Sequence, residues 1–393
     1  MQSRKDTIIS APQRAVKVWL RAGADRKAER DSNSPGVEVS FFLRQPTPTF
    51  GMRDMDLTPV TRSNVFDRLE QGSKPWQANY LAMYSSQWKG YTVDPALMTV
   101  PVDDHLVHRG DGVFDTMRCV RGRLYQMEAH LERLEQSANA ISLPFPPEYD
   151  RVREIVGSLV VRAGQRDCVI RIVLSRGPGS FSTNPFDCPE SQLYVTVIRY
   201  KAVPDEVMQK GTCVITSRIP TKRSFFARIK SCNYLPNVLM KMEAVKAGCP
   251  YAVALDTEGY LTEGSTENIG ILTEDGVLKF PGFERTLAGT TVQRVWALAG
   301  TRMGSGPISD IRFDRILPEE ASRAREVMLM GTSINVLPVV GFDGNPVGTG
   351  LKECKDSRIA EGVFDGGGES CKEAGYGTSG QGDRDYCRIP DQL

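Results

Sequence analysis

Arg228-Ile-Lys-Ser-Cys-Asn-Tyr-Leu-Pro-Asn237 opens the stretch on which the reading of this chain turns, and Tyr260-Leu-Thr-Glu-Gly-Ser-Thr-Glu-Asn268 closes it. Lys230 stands at the head of an amphipathic segment, and Tyr234 follows it. A helix starting near the lysine would put both on one face, because residues four apart share a helix face. Between the two ends lie the apolar run 251–255, the turn Asp256-Thr257-Glu258-Gly259 and the run 260–262. That pattern predicts a hairpin that delivers Glu263 at a strand end.

An amine, a phenol and a carboxylate brought together are the parts of a pyridoxal phosphate site. The amine condenses with the cofactor aldehyde, and the carboxylate keeps the pyridine nitrogen protonated so that the ring can act as an electron sink. The phenol can hydrogen-bond the ring hydroxyl. A phosphate also needs an anion site. The run Leu287-Ala-Gly-Thr-Thr-Val-Gln-Arg-Val-Trp-Ala-Leu298 supplies one, with Gly289, Thr290 and Thr291 at the start of an expected helix. Free N–H groups, hydroxyls and the helix dipole favour an anion there.

Three motifs, Lys-Ser-x-Asn-Tyr-Leu-x-Asn, Thr-Glu-Gly-Ser-x-x-Asn and Leu-x-Gly-Thr-Thr, occur in this order. Together they resemble the class IV pyridoxal-phosphate aminotransferases, which include branched-chain and D-amino-acid aminotransferases and aminodeoxychorismate lyases. The resemblance covers roughly residues 78 to 350. It implies a two-domain α/β (α+β) fold with the cofactor site at the domain interface. It also implies Lys230 as the Schiff-base lysine, Glu263 rather than Glu267 as the ring-nitrogen partner, and Tyr234 on the ring hydroxyl. For the phosphate it implies Arg133, from a His-Leu-x-Arg-Leu match, with Thr290, Thr291 and Thr332. From pattern alone Arg133 is a solvated helix arginine and Thr332 a turn residue. On the substrate side the resemblance points to Phe114 and Thr116, in Arg-Gly-Asp-Gly-Val-Phe-Asp-Thr, and to Arg176, in Ser-Arg-Gly-Pro-Gly.

The reaction that follows is transfer of an amino group between an amino acid, branched-chain or D, and a 2-oxo acid. Two alternatives remain open. Ser175 to Gly179 and Thr116 also resemble the lyases, which would release pyruvate and 4-aminobenzoate. A non-catalytic binding protein on the same fold is the other. The resemblance further implies a homodimer in which loops of one subunit close the other's site.

Working outward, residues 1–77 read as an N-terminal extension, expected to be partly disordered, with a basic stretch to Arg30 and a Pro-rich patch at 45–49. Residues 78–199 read as a small α/β domain. Within it Met98–Val102 looks strand-like, Arg121-Gly122-Arg123 is a hairpin turn, and Glu128–Ile141 is a helix. Two β-branched strands follow, at 168–175 and 192–198. Residues 200–208 are the expected linker, 209–350 the large cofactor-binding domain, and 351–393 a Gly-rich tail expected to be disordered.

With 393 residues the chain has room for two domains. Its formal net charge of +1 gives no case for nucleic acid or a membrane surface as a partner. No apolar run approaches the ~20 residues of a membrane span, and no secretory signal is apparent. Three histidines and nine cysteines without a Cys-x-x-Cys pair argue against a metal site. They suit reduced thiols in a cytoplasmic enzyme. Delivery to an organelle by the basic N-terminus is the alternative.

Overall fold

Residues Cys168–Ser175 show why the first sheet forms. Cys168, Ile170, Ile172 and Leu174 are fully buried, while Val169, Arg171 and Val173 alternate on the opposite face. This period of two is what a strand with two different faces requires. A computed structural model describes residues 57–304, 306–348 and, as backbone, 386–388. The expectations for 1–56 and for most of the tail lie outside the described residues.

Strands β1 (Tyr80–Ser85), β2 (Gly90–Thr92), β3 (Gly112–Val120), β4 (Arg123–Tyr125), β5 (Cys168–Ser175) and β6 (Gln192–Arg199) pair antiparallel in the order β4-β3-β5-β6-β1-β2. The β3–β4 turn places Arg121 and Gly122 at φ 51° and 78°, as a tight hairpin demands. One face of the sheet carries the core. Helix Met127–Ala140 buries Leu131, Leu134 and Ala138 against it, and helix Val152–Ala163 buries Val156, Leu159 and Val160. Each fully buried leucine of this kind contributes about 1.5–3 kcal/mol.

Strands β7 (Thr212–Ser217), β8 (Tyr251–Leu255), β9 (Leu261–Gly264), β10 (Asn268–Leu272), β11 (Val277–Phe280), β12 (Asp310–Phe313), β13 (Glu326–Gly331), β14 (Asn335–Phe342) and β15 (Asn345–Pro346) build a second, 9-stranded sheet. Its path is β12-β11-β10-β13-β14-β7-β8-β9, with β15 on β14. A further bridge, Asn268 to Glu263, joins β9 back to β10. That bridge closes β10-β13-β14-β7-β8-β9 into a ring. Helix Leu235–Lys246 packs on β8 through Met240 and Ala244, and helix Thr290–Gly300 covers β13 through Val292, Val295 and Ala299. A last strand, β16 (Tyr386–Arg388), pairs with β4 and lies within the expected tail.

Four expectations change. Residues 98–101 are not strand. The expected linker is partly helical, at Asp205–Lys210, and Val203, Val207 and Met208 pack against the second core. Cys213 and Cys249 form a disulfide, so the thiols are not all reduced. Finally, the helix after the lysine starts only at Leu235, with Tyr234 as N-cap and a proline in its first turn. Lys230 therefore precedes the helix. Among the described residues, no helix is long and apolar enough to cross a membrane.

Candidate active site

Lys230 is held by the first sheet although it comes from the second half of the chain. The Phe114 N–H donates to the Lys230 carbonyl at 2.9 Å, and the Cys232 N–H donates to the Gly112 carbonyl at 2.8 Å. Val113 and Ser231 form an antiparallel bridge. The Lys230 N–H donates to Ser137 Oγ at 3.1 Å. The lysine is thus fixed in a strand-like pairing, and Tyr234 reaches the same cavity from the start of the following helix.

That cavity measures about 450 Å³. Phe114 and Thr116 of β3 line it beside Val169, Arg171 and Val173 of β5, and Thr116 lies directly across from Arg171. Lys230, Tyr234, Arg133 and Thr332 line it as well. The Lys230 ammonium sits 5.1 Å from the centroid of the Phe114 ring, which meets the Tyr234 ring edge-on at 5.2 Å. Burial, with the nearby Arg133 charge, lowers the Lys230 pKa from 10.5 to about 8. Burial, with Glu263, raises that of Tyr234, so the phenol stays protonated. Cys232 also lines the cavity, and burial pushes its thiol up to about 12. It is therefore a neutral S–H at pH 7 and a poor competitor for an electrophile.

Glu263 lies at the end of β9 and shares a second, smaller cleft with Lys230 and Tyr234. Its carboxylate accepts the Leu287 N–H at 2.9 Å, and burial raises its pKa. Glu267 is committed elsewhere, to Ser265 Oγ and to the N–H and hydroxyl of Thr266. Glu263 is accordingly the carboxylate with acceptor capacity left. The same segment is tied down on both sides, since Asn268 Nδ2 donates to the Leu287 carbonyl at 3.1 Å and Arg133 Nη1 donates to the Ala288 carbonyl at 3.1 Å. Gly289 then caps the helix that begins with the buried Thr290 and Thr291. A Cβ at 289 would meet the Asn268 carboxamide oxygen, so a larger residue there would push Asn268 from its hydrogen bond to the Leu287 carbonyl.

Arg133 is aimed by a residue that pattern alone passes over. Asp115 is fully buried and accepts from Arg133 Nε at 2.8 Å and Nη2 at 2.9 Å, and it lies 2.7 Å from His130 Nδ1. Burial works to raise its pKa, but the Arg133 and His130 charges overcome this and hold the carboxyl well below the usual range. An acid at a core-facing strand position is the signal that could have found it. Replacing Asp115 with Asn is expected to destabilise the apo protein by about 3–5 kcal/mol, because it strands a buried guanidinium. The unfolding midpoint in urea measures this, and a change below about 1 kcal/mol would contradict the buried pairing.

Arg176 does not reach the cavity. Its guanidinium is spent on Asp111, at 3.1 Å, and on the Ile141 and Ser142 carbonyls after helix Met127–Ala140. Arg171 of β5, which the sequence reading did not single out, lines the cavity instead. It lies 5.2 Å from the Phe114 ring and has no ion pair among the described residues. Its signal was a charged residue in the middle of an otherwise apolar strand.

Several donors and acceptors remain to be filled. Thr116 Oγ1 and Asn237 Oδ1 are buried at the two clefts without hydrogen-bond partners among the described residues. With a lysine of lowered pKa, an underused buried carboxylate and an arginine beside a helix start, this set fits pyridoxal phosphate. No cluster among the described residues could hold a metal ion.

Comparison with known proteins places the chain in a family. Residues 112–342 match the family described as Amino-transferase class IV. The chain is 37% identical over 287 residues to the chloroplastic D-amino-acid transaminase of Arabidopsis thaliana, covering 73% of this chain and 75% of that protein. It is 27% identical over 279 residues to the branched-chain-amino-acid aminotransferase of Escherichia coli K12, covering 67% and 87%. A solved branched-chain amino acid aminotransferase from T.th., with pyridoxamine 5'-phosphate, superposes with a TM-score of 0.69 at 24% identity, over 79% of this chain and 99% of that one. At that identity the likeness speaks for the fold alone.

Proposed function

The chain belongs to the class IV amino-transferases, and from that premise we propose that it moves an amino group between a D- or branched-chain amino acid and a 2-oxo acid, using pyridoxal phosphate held at Lys230. The observation that carries this reading is the convergence of Lys230, Arg133, Tyr234 and Thr332 on one cavity, with Glu263 in the adjoining cleft. When bound, the cofactor supplies an aldehyde that condenses with an amine and a ring that accepts the electron pair left by a departing proton.

The chain's residues divide the remaining work. With a pKa of about 8, Lys230 is a free amine in about one molecule in ten at pH 7. An ordinary lysine is free in roughly one in three thousand. Lys230 Nζ, when free, would be the base that takes the substrate's α-proton and later returns it. Glu263 would accept the ring N–H, and Tyr234 would donate its protonated phenol to the ring hydroxyl. Arg133, the helix start at Thr290 and Thr291, and the Thr332 hydroxyl would hold the phosphate. Phe114 and Thr116 form the substrate-side wall. Leu106, Val169 and Val173 give that side an apolar surface with Arg171 at its edge. The arrangement suits an apolar side chain in one half-reaction and a second carboxylate in the other.

Arg171→Met is therefore expected to raise KM for 2-oxoglutarate roughly tenfold while KM for leucine changes little, in line with loss of one charge-assisted contact. Equal changes for both substrates would remove Arg171 from this role. The whole reading is tested by a paired assay. D-alanine and L-leucine are each offered with 2-oxoglutarate, and aminodeoxychorismate is offered separately. Amino transfer in the first supports the proposal. Pyruvate and 4-aminobenzoate from the second, without transfer in the first, would replace it with the lyase reaction.

A homodimer is part of the proposal. Leu235, Val238, Met242 and Val245 form an exposed stripe on helix Leu235–Lys246, with exposed Phe225 and Phe226 just before it. Apolar area of this kind is what a subunit interface buries. Val238→Glu is expected to weaken self-association roughly 100-fold in sedimentation. An unchanged sedimentation profile would place the interface elsewhere. A cytoplasmic location is proposed as well, with organelle delivery by residues 1–30 as the alternative, which a reporter fused to residues 1–77 distinguishes.

A further inference from the structure

Lys222 is a second lysine at this site. It lies in the loop between β7 and the short helix Ser224–Ala227, half-buried. Among the described residues it makes no hydrogen bond and no ion pair. Its ammonium instead sits 4.6 Å from the centroid of the Tyr234 ring. The smaller cleft is lined by Lys222 together with Lys230, Tyr234 and Glu263. The titratable groups around Lys222 come from three places. Tyr234 caps helix Leu235–Lys246, Glu263 and Glu267 lie at and after the end of β9, and Lys230 and Cys232 belong to the segment paired with β3.

A half-buried ammonium without a counter-ion is costly to keep. Burial lowers its pKa, while Glu263 works in the opposite direction. The attraction is mutual, since Lys222 also favours the ionised form of Glu263 against that residue's own burial. Over the face of a phenol, a cation is held by the ring quadrupole. It also draws electron density from the ring, which makes the O–H a stronger donor.

We propose that Lys222 is a positioning residue, a fixed cation that acts through Tyr234 and Glu263 to set the charge balance of the cofactor site. It holds the Tyr234 ring in place, strengthens its donation to the cofactor's ring hydroxyl, and keeps Glu263 ready to accept the ring N–H. It also disfavours further positive charge beside Lys230. This inference rests on the pyridoxal phosphate reading given above.

The test is a pH titration of the near-visible absorbance band of the holoenzyme, for wild type, Lys222→Met and Lys222→Arg. Removing a fixed cation favours protonation of its neighbours. In the Met variant the midpoint at which the bound cofactor loses its proton is thus expected to rise by roughly one pH unit. The Arg variant keeps the charge and is expected to titrate like wild type. A Met variant that binds cofactor but keeps the wild-type midpoint overturns the inference. So does an Arg variant that shifts as far as Met, because packing would then explain the effect. If Lys222→Met does not fold, judged by its melting curve, Lys222→Gln carries the same comparison. Absence of any band in the wild type would defeat the pyridoxal phosphate reading and this inference with it. A band with an unmoved midpoint defeats this inference alone.

Discussion

Lys230→Ala is expected to bind pyridoxal phosphate only reversibly, with no borohydride-fixed adduct, and to lose roughly 10⁴-fold in turnover. The size follows from what is lost. In the proposed reaction one amine serves both as the attachment point and as the base for the α-proton, and the nearest other lysine, Lys222, lines the smaller cleft and lies over the Tyr234 ring instead. Mass spectrometry of the borohydride-treated peptides reads the first effect, and single-turnover kinetics the second. A covalent adduct that survives in the variant would show that another amine holds the cofactor. The lowered pKa adds a linkage effect. Between about 8 and 10.5 the unfolded chain keeps a proton on this lysine that the folded chain has released. The apo protein should therefore gain stability as pH rises through that window, and Lys230→Met should flatten the gain.

Glu263→Gln is expected to slow the chemical step by roughly 10²–10³-fold, against less than about tenfold for Glu267→Gln. The contrast comes from hydrogen-bond commitments. Glu263 has one backbone donor and faces the cleft, whereas Glu267 has its oxygens occupied by Ser265 and Thr266. Glutamine at 263 can no longer stabilise a protonated ring nitrogen by charge. Glu267→Gln should instead show in the melting temperature, because it disturbs a buried turn. Pre-steady-state absorbance changes measure the chemical step directly. Equal slowing by both variants, or the reverse order, would move the ring partner from 263 to 267.

Sequence made the local parts legible. The alternation in 168–175 set a strand with one core face, and Arg121-Gly122 set a hairpin with φ values that only a tight turn needs. Lys230, Tyr234, Glu263, Arg133 and Thr332 carried motif signals strong enough to be named before their distances were known. What stayed hidden depended on register and closure. Arg171 matters because it pairs with Thr116 across two strands, and Asp115 matters because Arg133 comes down on it from a helix. Neither relation is encoded within a short window. Arg176 looked like a substrate residue because its motif is local, but its partners, Asp111 and the 141–142 carbonyls, are set by tertiary packing. Lys230 looked helical by spacing, yet pairing with β3 won over the helix pattern.

That pairing has a mechanical consequence. The lysine and Arg133 ride on the first sheet and its helix, whereas Glu263, Thr290 and Thr332 ride on the second. In the proposed holoenzyme the cofactor is thus a bivalent ligand, contacted by residues from both halves of the molecule. Its two attachments are not independent. Once one is made, the other is completed at an effective concentration set by how firmly the halves are already held together. Any sliding between the sheets would have to lengthen the contacts made by one half or the other. Cofactor loading should therefore tighten the packing between the sheets as well as complete the chemistry, adding stability by mass action in proportion to RT ln(1 + [L]/Kd). The two sheets would then unfold as one cooperative unit when loaded, with hydrogen exchange slowed at Phe114 and Leu287 together, although the two amides lie in different sheets' territory.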